Sequence, residues 1–378
     1  MHVIFVVSDF NNKNGGKSHA ALAYIKCVSE KLSSVAVICT NLDPYFRSEL
    51  IENAGVLGEN LYELSFSDFL SIRNVLKFFK ITRCENVKMH FHGVFDLLSN
   101  FLMLLCPCDF FISPHGMLNN YGMRDNKKKK LFYNFYLRHM IARSSGLIFT
   151  SSDEYEQTMS HVTQLKSTFV VPIPVFVRPS LEHADNSVST TSHIIEDKQS
   201  QILHVGTIGR IHEVKNLENL LIAICRDQKF LLSVAGDGEV SYLLQLRYLA
   251  DKLGIGDRVK WLGLVDETAK HEMLSNLDLY VQVSWSESFG LAAVEAAAAG
   301  VPVLCSSRVA IARELFEMGA CKICEPSSQS IYEALLGFSN LKALGSLSTF
   351  SAPAEVREHF SAAAIGDSLK YVYELPRV

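Results

Sequence analysis

Ser286-Glu287-Ser288-Phe289-Gly290-Leu291-Ala292-Ala293-Val294-Glu295-Ala296 is the stretch whose reading decides the architecture of this chain. The run 278–283 before it is β-branched and aromatic and reads as a strand, and the alanine-rich segment at its end reads as a helix. That places Glu287 in the connecting loop and Glu295 about one turn into the helix. Strand, short polar loop and helix form the crossover unit of a parallel sheet. The first N–H groups of such a helix lack intrahelical partners, so those near Gly290 and Leu291 suit an anion, while the two carboxylates suit sugar hydroxyls. Two unrelated surface acids are the plainer reading, but the alanines at 296–299 point to close helix packing rather than an exposed face.

The same alternation extends in both directions. Strands are expected at 202–205, 230–235, 258–262, 278–283 and 301–305 on this side of the chain. In the first half they are expected at 3–7, 35–39, 87–91, 109–112, 146–150 and 168–171, with amphipathic segments at 17–32, 67–80 and 127–143 between them. The pattern breaks over 178–200, a polar stretch rich in Ser and Thr. The expected organisation is therefore an α/β protein of two Rossmann-like, doubly wound domains. A first domain covers 1–177, a linker 178–200, and a second domain 201–353. A last segment, 354–378, carries a helical stretch at 354–374 that returns to the first domain. In such folds ligands bind at the carboxyl ends of the strands, and here a central cleft between the domains is the expected site.

Composition narrows the function classes. Of 378 residues, 48% are hydrophobic and 20% charged, which excludes global disorder. The formal net charge is −4, from 36 basic and 40 acidic residues, so a dedicated nucleic-acid binder is not expected. Nine cysteines in irregular positions argue for buried thiols in a reducing compartment and against a disulfide framework. Cys106 and Cys108, and Cys321 and Cys324, lack the second half of a zinc site. Met1–Val7 has no basic leader before its apolar run, and the apolar stretch 101–112 contains Pro107 and Asp109 and is too short to span a bilayer. A cytoplasmic protein is expected.

Two further runs follow first strands. Asn14-Gly15-Gly16-Lys17-Ser18 precedes a helix, and its glycines allow close backbone approach to a ligand; it lacks the spacing of a phosphate loop or a dinucleotide fingerprint. Gly206-Thr207-Ile208-Gly209-Arg210-Ile211-His212-Glu213-Val214-Lys215-Asn216 places a planar guanidinium and a compact ammonium in one strand–helix turn, where both can face a diphosphate. Lys127–Lys130 precedes an aromatic segment in which Phe132, Phe135, Tyr136 and Met140 share one helical face. That face reads as a core stripe with a solvated cationic end, or alternatively as a dock on an anionic membrane surface.

The run E-S-F-G-L-A-A-V-E resembles the E-x7-E element of retaining glycosyltransferases of the GT-B fold, and in particular the family four group that builds bacterial surface polysaccharides. The G-x-I-G-R-x-x-x-x-K-N run, Ala235-Gly236-Asp237-Gly238, the Gly263 turn and Gly300-Val301-Pro302-Val303 fall in the family's order. Ser113-Pro114-His115-Gly116-Met117-Leu118 is similar to the S-P-[RH]-G-M-L run of polysaccharide-assembly members, and His90-Phe91-His92-Gly93 to their H-x-H-G element.

The resemblance implies roles. Arg210 and Lys215 bind the donor diphosphate, Glu287 contacts the transferred sugar, and Glu295 grips the nucleotide ribose. Backbone groups of Phe289, Gly290 and Leu291 meet sugar and phosphates, Gly15 and Gly16 line the donor phosphate and acceptor side, and His115 sits near the reacting carbon, with His92 a weaker candidate. Glu213 beside a phosphate site departs from the family's small or basic residues and is expected to point away.

The chemistry implied is transfer of a hexose or N-acetylhexosamine, with retention, from a nucleotide-diphosphate sugar to a saccharide acceptor, lipid-linked and bound for O-antigen, capsule or other exopolysaccharide. A UDP-sugar is favoured and GDP-mannose is the alternative donor. The absence of a D-x-D triplet leads to the expectation of no metal and no cofactor. An epimerase or phosphorylase on the same architecture, and a catalytically silent sugar-nucleotide-binding subunit, are the rival readings.

Overall fold

The computed structural model describes residues 1–11, 16–63, 86–119, 123, 127–160, 162, 167–176 and 202–375. Gly15, the amphipathic segment expected at 67–80, and the linker at 178–200 lie outside the described residues. The chain divides into two compact units, one formed by Met1–Pro174 with His359–Val378, the other by Val175–Glu358.

The first unit is built on a seven-stranded parallel sheet in the order β3-β2-β1-β4-β5-β6-β7. Its strands are β1 (His2–Val7), β2 (Ser34–Cys39), β3 (Leu61–Glu63), β4 (Val87–His92), β5 (Asp109–Ser113), β6 (Gly146–Phe149) and β7 (Thr168–Val170). The central strands are buried on both faces, as the near-continuous apolar runs of β1 and β5 require. Strand order reverses between β1 and β4, so the loops after these two strands diverge and leave room at the carboxyl edge.

Helix α1 (Gly16–Val28) packs against the last helix of the chain. The stretch expected as one helix over 354–374 is in fact two, Pro353–His359 and Ala362–Glu374. The break falls where Ser361 accepts a hydrogen bond from Ala364 N and so starts a new helix. Only the second of these helices belongs to the first unit. Gly366 makes the close approach possible, because a Cβ there would lie 2.3 Å from Cys27 O.

The second unit carries a six-stranded parallel sheet in the order β10-β9-β8-β11-β12-β13. Its strands are β8 (Leu203–Ile208), β9 (Phe230–Ala235), β10 (Val259–Gly263), β11 (Leu279–Gln282), β12 (Val303–Ser306) and β13 (Cys321–Cys324). Strands β3 and β13 were absent from the sequence reading. Both are short edge strands, and β13 is the Cys321–Cys324 segment that spacing alone presents as a metal-like pair; both thiols are free and buried in the sheet. The reversal here lies between β8 and β11, the two strands whose following loops hold Lys215 and Glu287. Among the described residues no helix is long and apolar enough to cross a membrane.

Alanine at a helix interior normally stabilises relative to glycine by about 1 kcal/mol. Gly366→Ala reverses that sign here, because its Cβ meets a backbone carbonyl. Urea unfolding of Gly366→Ala is expected to give a midpoint below wild type, whereas a midpoint above it would place the two helices further apart than described.

Candidate active site

The loop after β8 is shaped by three glycines and one asparagine. Gly209 N donates to Ala235 O at 3.0 Å, and Ile211 N to Asp237 O at 2.8 Å, which binds this loop to the one after β9. The approach is so close that a Cβ on Gly236 would stand 1.9 Å from Gly209 O, and one on Gly238 2.1 Å from Ile211 O. His212 Nδ1 accepts from Val214 N at 3.2 Å and opens a single turn, Glu213–Lys215.

Asn216 ends that turn in the left-handed region at φ 59°, a conformation asparagine tolerates better than most residues. Its buried amide nitrogen donates to Val283 O at 2.9 Å and Pro326 O at 2.8 Å, while its oxygen accepts from Asn219 Nδ2 at 2.7 Å. The loop is thereby tied to the end of β11. Arg210 and Glu213 are exposed, and Lys215 folds over Gly209, where an added Cβ would lie 3.6 Å from its Nζ.

Lys215 Nζ reaches Glu287 and forms an ion pair with Oε2. The same oxygen accepts from Gln282 Nε2 at 3.1 Å, with Ser284 Oγ at 3.5 Å. The backbone of Glu287 is held on both sides, its N–H donating to Arg308 O at 3.0 Å and its carbonyl accepting from Ala310 N at 3.1 Å. Gly290, at φ 106°, turns the chain into the helix Leu291–Ala298.

Beyond α1, the first unit contains helices α2 (Leu97–Leu105) and α3 (Ser152–Met159), and the second contains α4 (Leu217–Cys225), α5 (Val240–Lys252), α6 (Glu267–Ser275) and α7 (Leu291–Ala298). A Cβ on Gly290 would meet Val309 Cγ1 at 2.8 Å, so glycine is required by space as well as by φ. No side chain caps α7 at its N-terminus. The Phe289 side chain is buried in the core, and its carbonyl accepts from Ile311 N at 3.0 Å.

Glu295, on α7, does not share a bond with Glu287 but pairs with Lys270 Nζ from α6 at 3.0 Å. Burial raises the Glu295 carboxyl, and the lysine opposes that rise. For Lys270, burial acts to lower the ammonium, but Glu295 and Glu267 outweigh it, and the net shift is upward. Lys270 thus favours the ionised form of Glu295 against burial, and the second carboxyl oxygen keeps acceptor capacity for a hydroxyl. Lys270, Gln282 and the anchoring role of Asn216 were missed by the sequence reading. Only Asn216 left a signal, as the last residue of the G-x-I-G-R-x-x-x-x-K-N run.

In the first unit, His92 ends β4 and His115 follows β5. His115 takes a left-handed φ of 51°, which turns its ring back over the sheet. His92 Nδ1 and His115 Nε2 are 2.9 Å apart, and the rings stack with centroids 5.1 Å apart. His90, two residues earlier on the same strand face, bonds through Nδ1 to Tyr373 OH at 2.7 Å and through Nε2 to Ser113 Oγ at 2.8 Å.

Burial depresses all three imidazoles, His115 to about 3, and the Lys17 ammonium adds to the effect at His92 and His115. They are neutral at physiological pH, so one of each bonded pair donates and the other accepts. Gly16 opens α1 and is exposed. Lys17 reaches Ser8 Oγ at 2.6 Å, and burial lowers its ammonium against the pull of Asp96 and Asp9. Beneath the His115 loop, buried Glu154 accepts from Gly116 N, from Thr150 N at 2.7 Å and from Thr150 Oγ1 at 2.7 Å. Lys17 lies within the run Asn14–Ser18, whose pattern gives it no role, and Glu154 has no signal in the sequence.

Residues 190–343 match the family model of glycosyl transferases group 1. Among curated relatives, D-inositol 3-phosphate glycosyltransferase of Mycobacterium marinum is 38% identical over 106 residues, 27% of this chain and 23% of that protein. N-acetyl-alpha-D-glucosaminyl L-malate synthase of Bacillus anthracis is 32% identical over 126 residues, 33% of this chain and 32% of that one. The chain thus spans about a quarter of the length of the curated relatives it matches first.

Over the whole fold, Anabaena HepE in complex with UDP and glucose superposes with a TM-score of 0.77 at 17% identity, covering 98% of each chain. Sucrose-phosphate synthase of Thermosynechococcus elongatus gives 0.75 at 15% identity, again over 98% of each. These likenesses show the fold, two Rossmann-like units of the GT-B type.

Because the folded values of His90, His92 and His115 lie below the ordinary 6.5, their neutral forms contribute stability that is complete above that pH. It is lost as pH falls toward the folded values, while the raised carboxyls of Glu154 and Glu295 offset part of the loss. Urea melts between about pH 7 and pH 5 are expected to show wild type weakening faster than His115→Asn, by up to about 1.4 kcal/mol per pH unit. Parallel slopes would place the imidazole in contact with water.

Asn216→Ala removes two donors to buried carbonyls and puts alanine at a positive φ, and is expected to cost about 2–4 kcal/mol in the same assay. A loss under about 1 kcal/mol would mean that the loop does not depend on this side chain.

Proposed function

We propose that the chain is a glycosyltransferase that moves a hexose or N-acetylhexosamine from a nucleotide-diphosphate sugar to a saccharide acceptor. The observation that carries this reading is the Lys215–Glu287 pair, held beside the uncapped N-terminus of α7. Breaking the anomeric C–O bond leaves negative charge on the diphosphate and positive charge on the sugar. Lys215, Arg210 and the first N–H groups of α7 stabilise the diphosphate charge from backbone positions that are already fixed. An incoming phosphate competes with Glu287 for Lys215. Glu287, still held by Gln282 and Ser284, then turns acceptor capacity toward hydroxyls of the transferred sugar.

Glu295 accepts from the ribose hydroxyls, with Lys270 keeping it ionised. Transfer proceeds with retention and without a metal, the acceptor hydroxyl attacking from the face of the departing phosphate and giving that phosphate its proton. Glu287 is not assigned as a covalent nucleophile, since the acceptor attacks from the face of the departing phosphate and that phosphate itself takes the proton. Neutral His115 is assigned a contact to the transferred sugar, and Gly16 a backbone contact on the phosphate and acceptor side.

A UDP-sugar is the favoured donor, a choice supported by the fold's likeness to a protein seen with UDP and glucose. The acceptor is assigned as a lipid-linked saccharide of surface polysaccharide assembly, reached from a reducing, cytoplasmic compartment, in keeping with the buried free thiols.

Thermal unfolding with UDP, GDP, ADP and their sugars in the presence of a chelator tests the donor. A nucleotide at 100 times its Kd is expected to add about 2.7 kcal/mol, and a shift with GDP alone would overturn the uridine assignment. In turnover of a radiolabelled donor, Arg210→Ala and Lys215→Ala are each expected to lose roughly 10²-fold or more. Wild-type rates in both would remove the phosphate clamp, and donor recovered unchanged from wild type with acceptor present would point to a silent binding subunit.

A further inference from the structure

The cationic segment of the first unit departs from its sequence reading in a way that creates a surface. Residues 127–143 hold six Lys and Arg, one His and no acid. Regular helical phase would bury Phe132, Phe135 and Tyr136 together. Instead the helix runs regularly over Lys127–Phe132 and Arg138–Arg143 and widens to a π-helical turn over Tyr133–Leu137. Such a turn inserts one residue into the helical repeat and shifts the phase beyond it. Leu137 is fully buried, Phe132 and Tyr136 are half-buried, and Phe135 is 75% exposed. Leu131, four residues before it on the same face, is 59% exposed.

The widened helix lies along α2. The rings of Phe95 and Phe132 are 6.2 Å apart, Tyr136 OH donates to Asn100 O, and Arg143 donates to Leu104 O at 3.1 Å and Cys106 O at 3.0 Å. Helix α2 contains no charged residue, and its Leu97 and Leu104, two turns apart on one face, are 75% and 52% exposed. Two adjacent helices of one compact unit thus present four large apolar side chains to solvent. Lys128, Lys130 and Arg138 are exposed beside them, and Lys129 lies over the Phe95 ring at 5.0 Å. The Lys127 side chain lies outside the described residues. A chain of net charge −4 has gathered an acid-free cationic segment around its exposed leucines and phenylalanine.

We propose that this face, Leu97, Leu104, Leu131 and Phe135 with Lys128, Lys130 and Arg138, docks on an anionic lipid bilayer. The apolar side chains enter the headgroup–acyl boundary and the cations stay at the lipid phosphates, the arrangement of an interfacial amphipathic helix. Apolar burial and charge act together, so neither alone holds the protein there. The inference stands apart from the transferase reading, since binding to a bilayer needs neither donor nor acceptor.

Co-sedimentation of the full chain with vesicles tests it. Binding is expected to vesicles of phosphatidylcholine mixed with phosphatidylglycerol, at least about tenfold above vesicles of phosphatidylcholine alone, and to weaken as salt rises. Lys128→Glu with Lys130→Glu is expected to lose about 10-fold or more of that binding. Leu131→Ser with Phe135→Ser is expected to lose a similar factor while keeping the wild-type unfolding midpoint, and Leu264→Ser, at an exposed site of the second unit, is expected to change nothing.

Phe135→Trp is expected to shift its fluorescence to the blue on anionic vesicles only. Four results would overturn the proposal: no binding to anionic vesicles, equal binding to neutral ones, full binding by the Leu131→Ser, Phe135→Ser variant, or a wild-type dimer in solution that this variant dissolves and that vesicles do not disrupt.

Discussion

A lysine and a glutamate 72 residues apart in the chain form the pair on which the second unit's site depends. Lys215 and Glu287 follow β8 and β11, the strands that flank the reversal of strand order. Their meeting requires two loops to be held at once. The first is fixed by glycines that let backbone lie on backbone at Gly209–Gly236 and Ile211–Gly238, and by Asn216. The second is fixed by the bonds of Glu287 and Phe289 to the segment 308–311 and by the space that only glycine leaves at 290.

The first unit solves a different problem with neutral groups. Its three imidazoles are buried, and burial keeps them uncharged close to the Lys17 ammonium. A charged histidine here would face that cation in a medium that screens poorly. Neutral rings instead offer directional hydrogen bonds, one to Tyr373 of the returning C-terminal helix and one between His92 and His115. The left-handed backbone of His115 is held from below by Glu154, which accepts from the following Gly116. The returning helix is therefore part of the support for the His115 loop rather than a peripheral addition.

The π-helical turn at Tyr133–Leu137 shows where periodicity misleads. Hydrophobic spacing places Phe132, Phe135 and Tyr136 on a single stripe, and with regular helical phase all three would be buried. One extra residue in the turn brings Leu137 inward and sends Phe135 out. The cause is tertiary: Tyr136 must reach the Asn100 carbonyl while Leu137 fills the core. No pattern internal to 127–143 encodes that requirement.

The residues by themselves determined the alternation of strands and helices, the position of most strands to within a residue or two, and the loops in which Arg210, Lys215, Glu287, His115 and Gly290 lie. These are local matters of side-chain periodicity, glycine conformation and helix starts. They did not reveal the edge strands β3 and β13, the split of the final helix, or the partners of the acids. Short edge strands are made by pairing rather than by pattern. Glu295 finds Lys270 rather than Glu287, and Glu154 becomes a buried brace, because contacts between distant segments are chosen by the packing of the sheet, which brings together side chains that no spacing in the sequence relates.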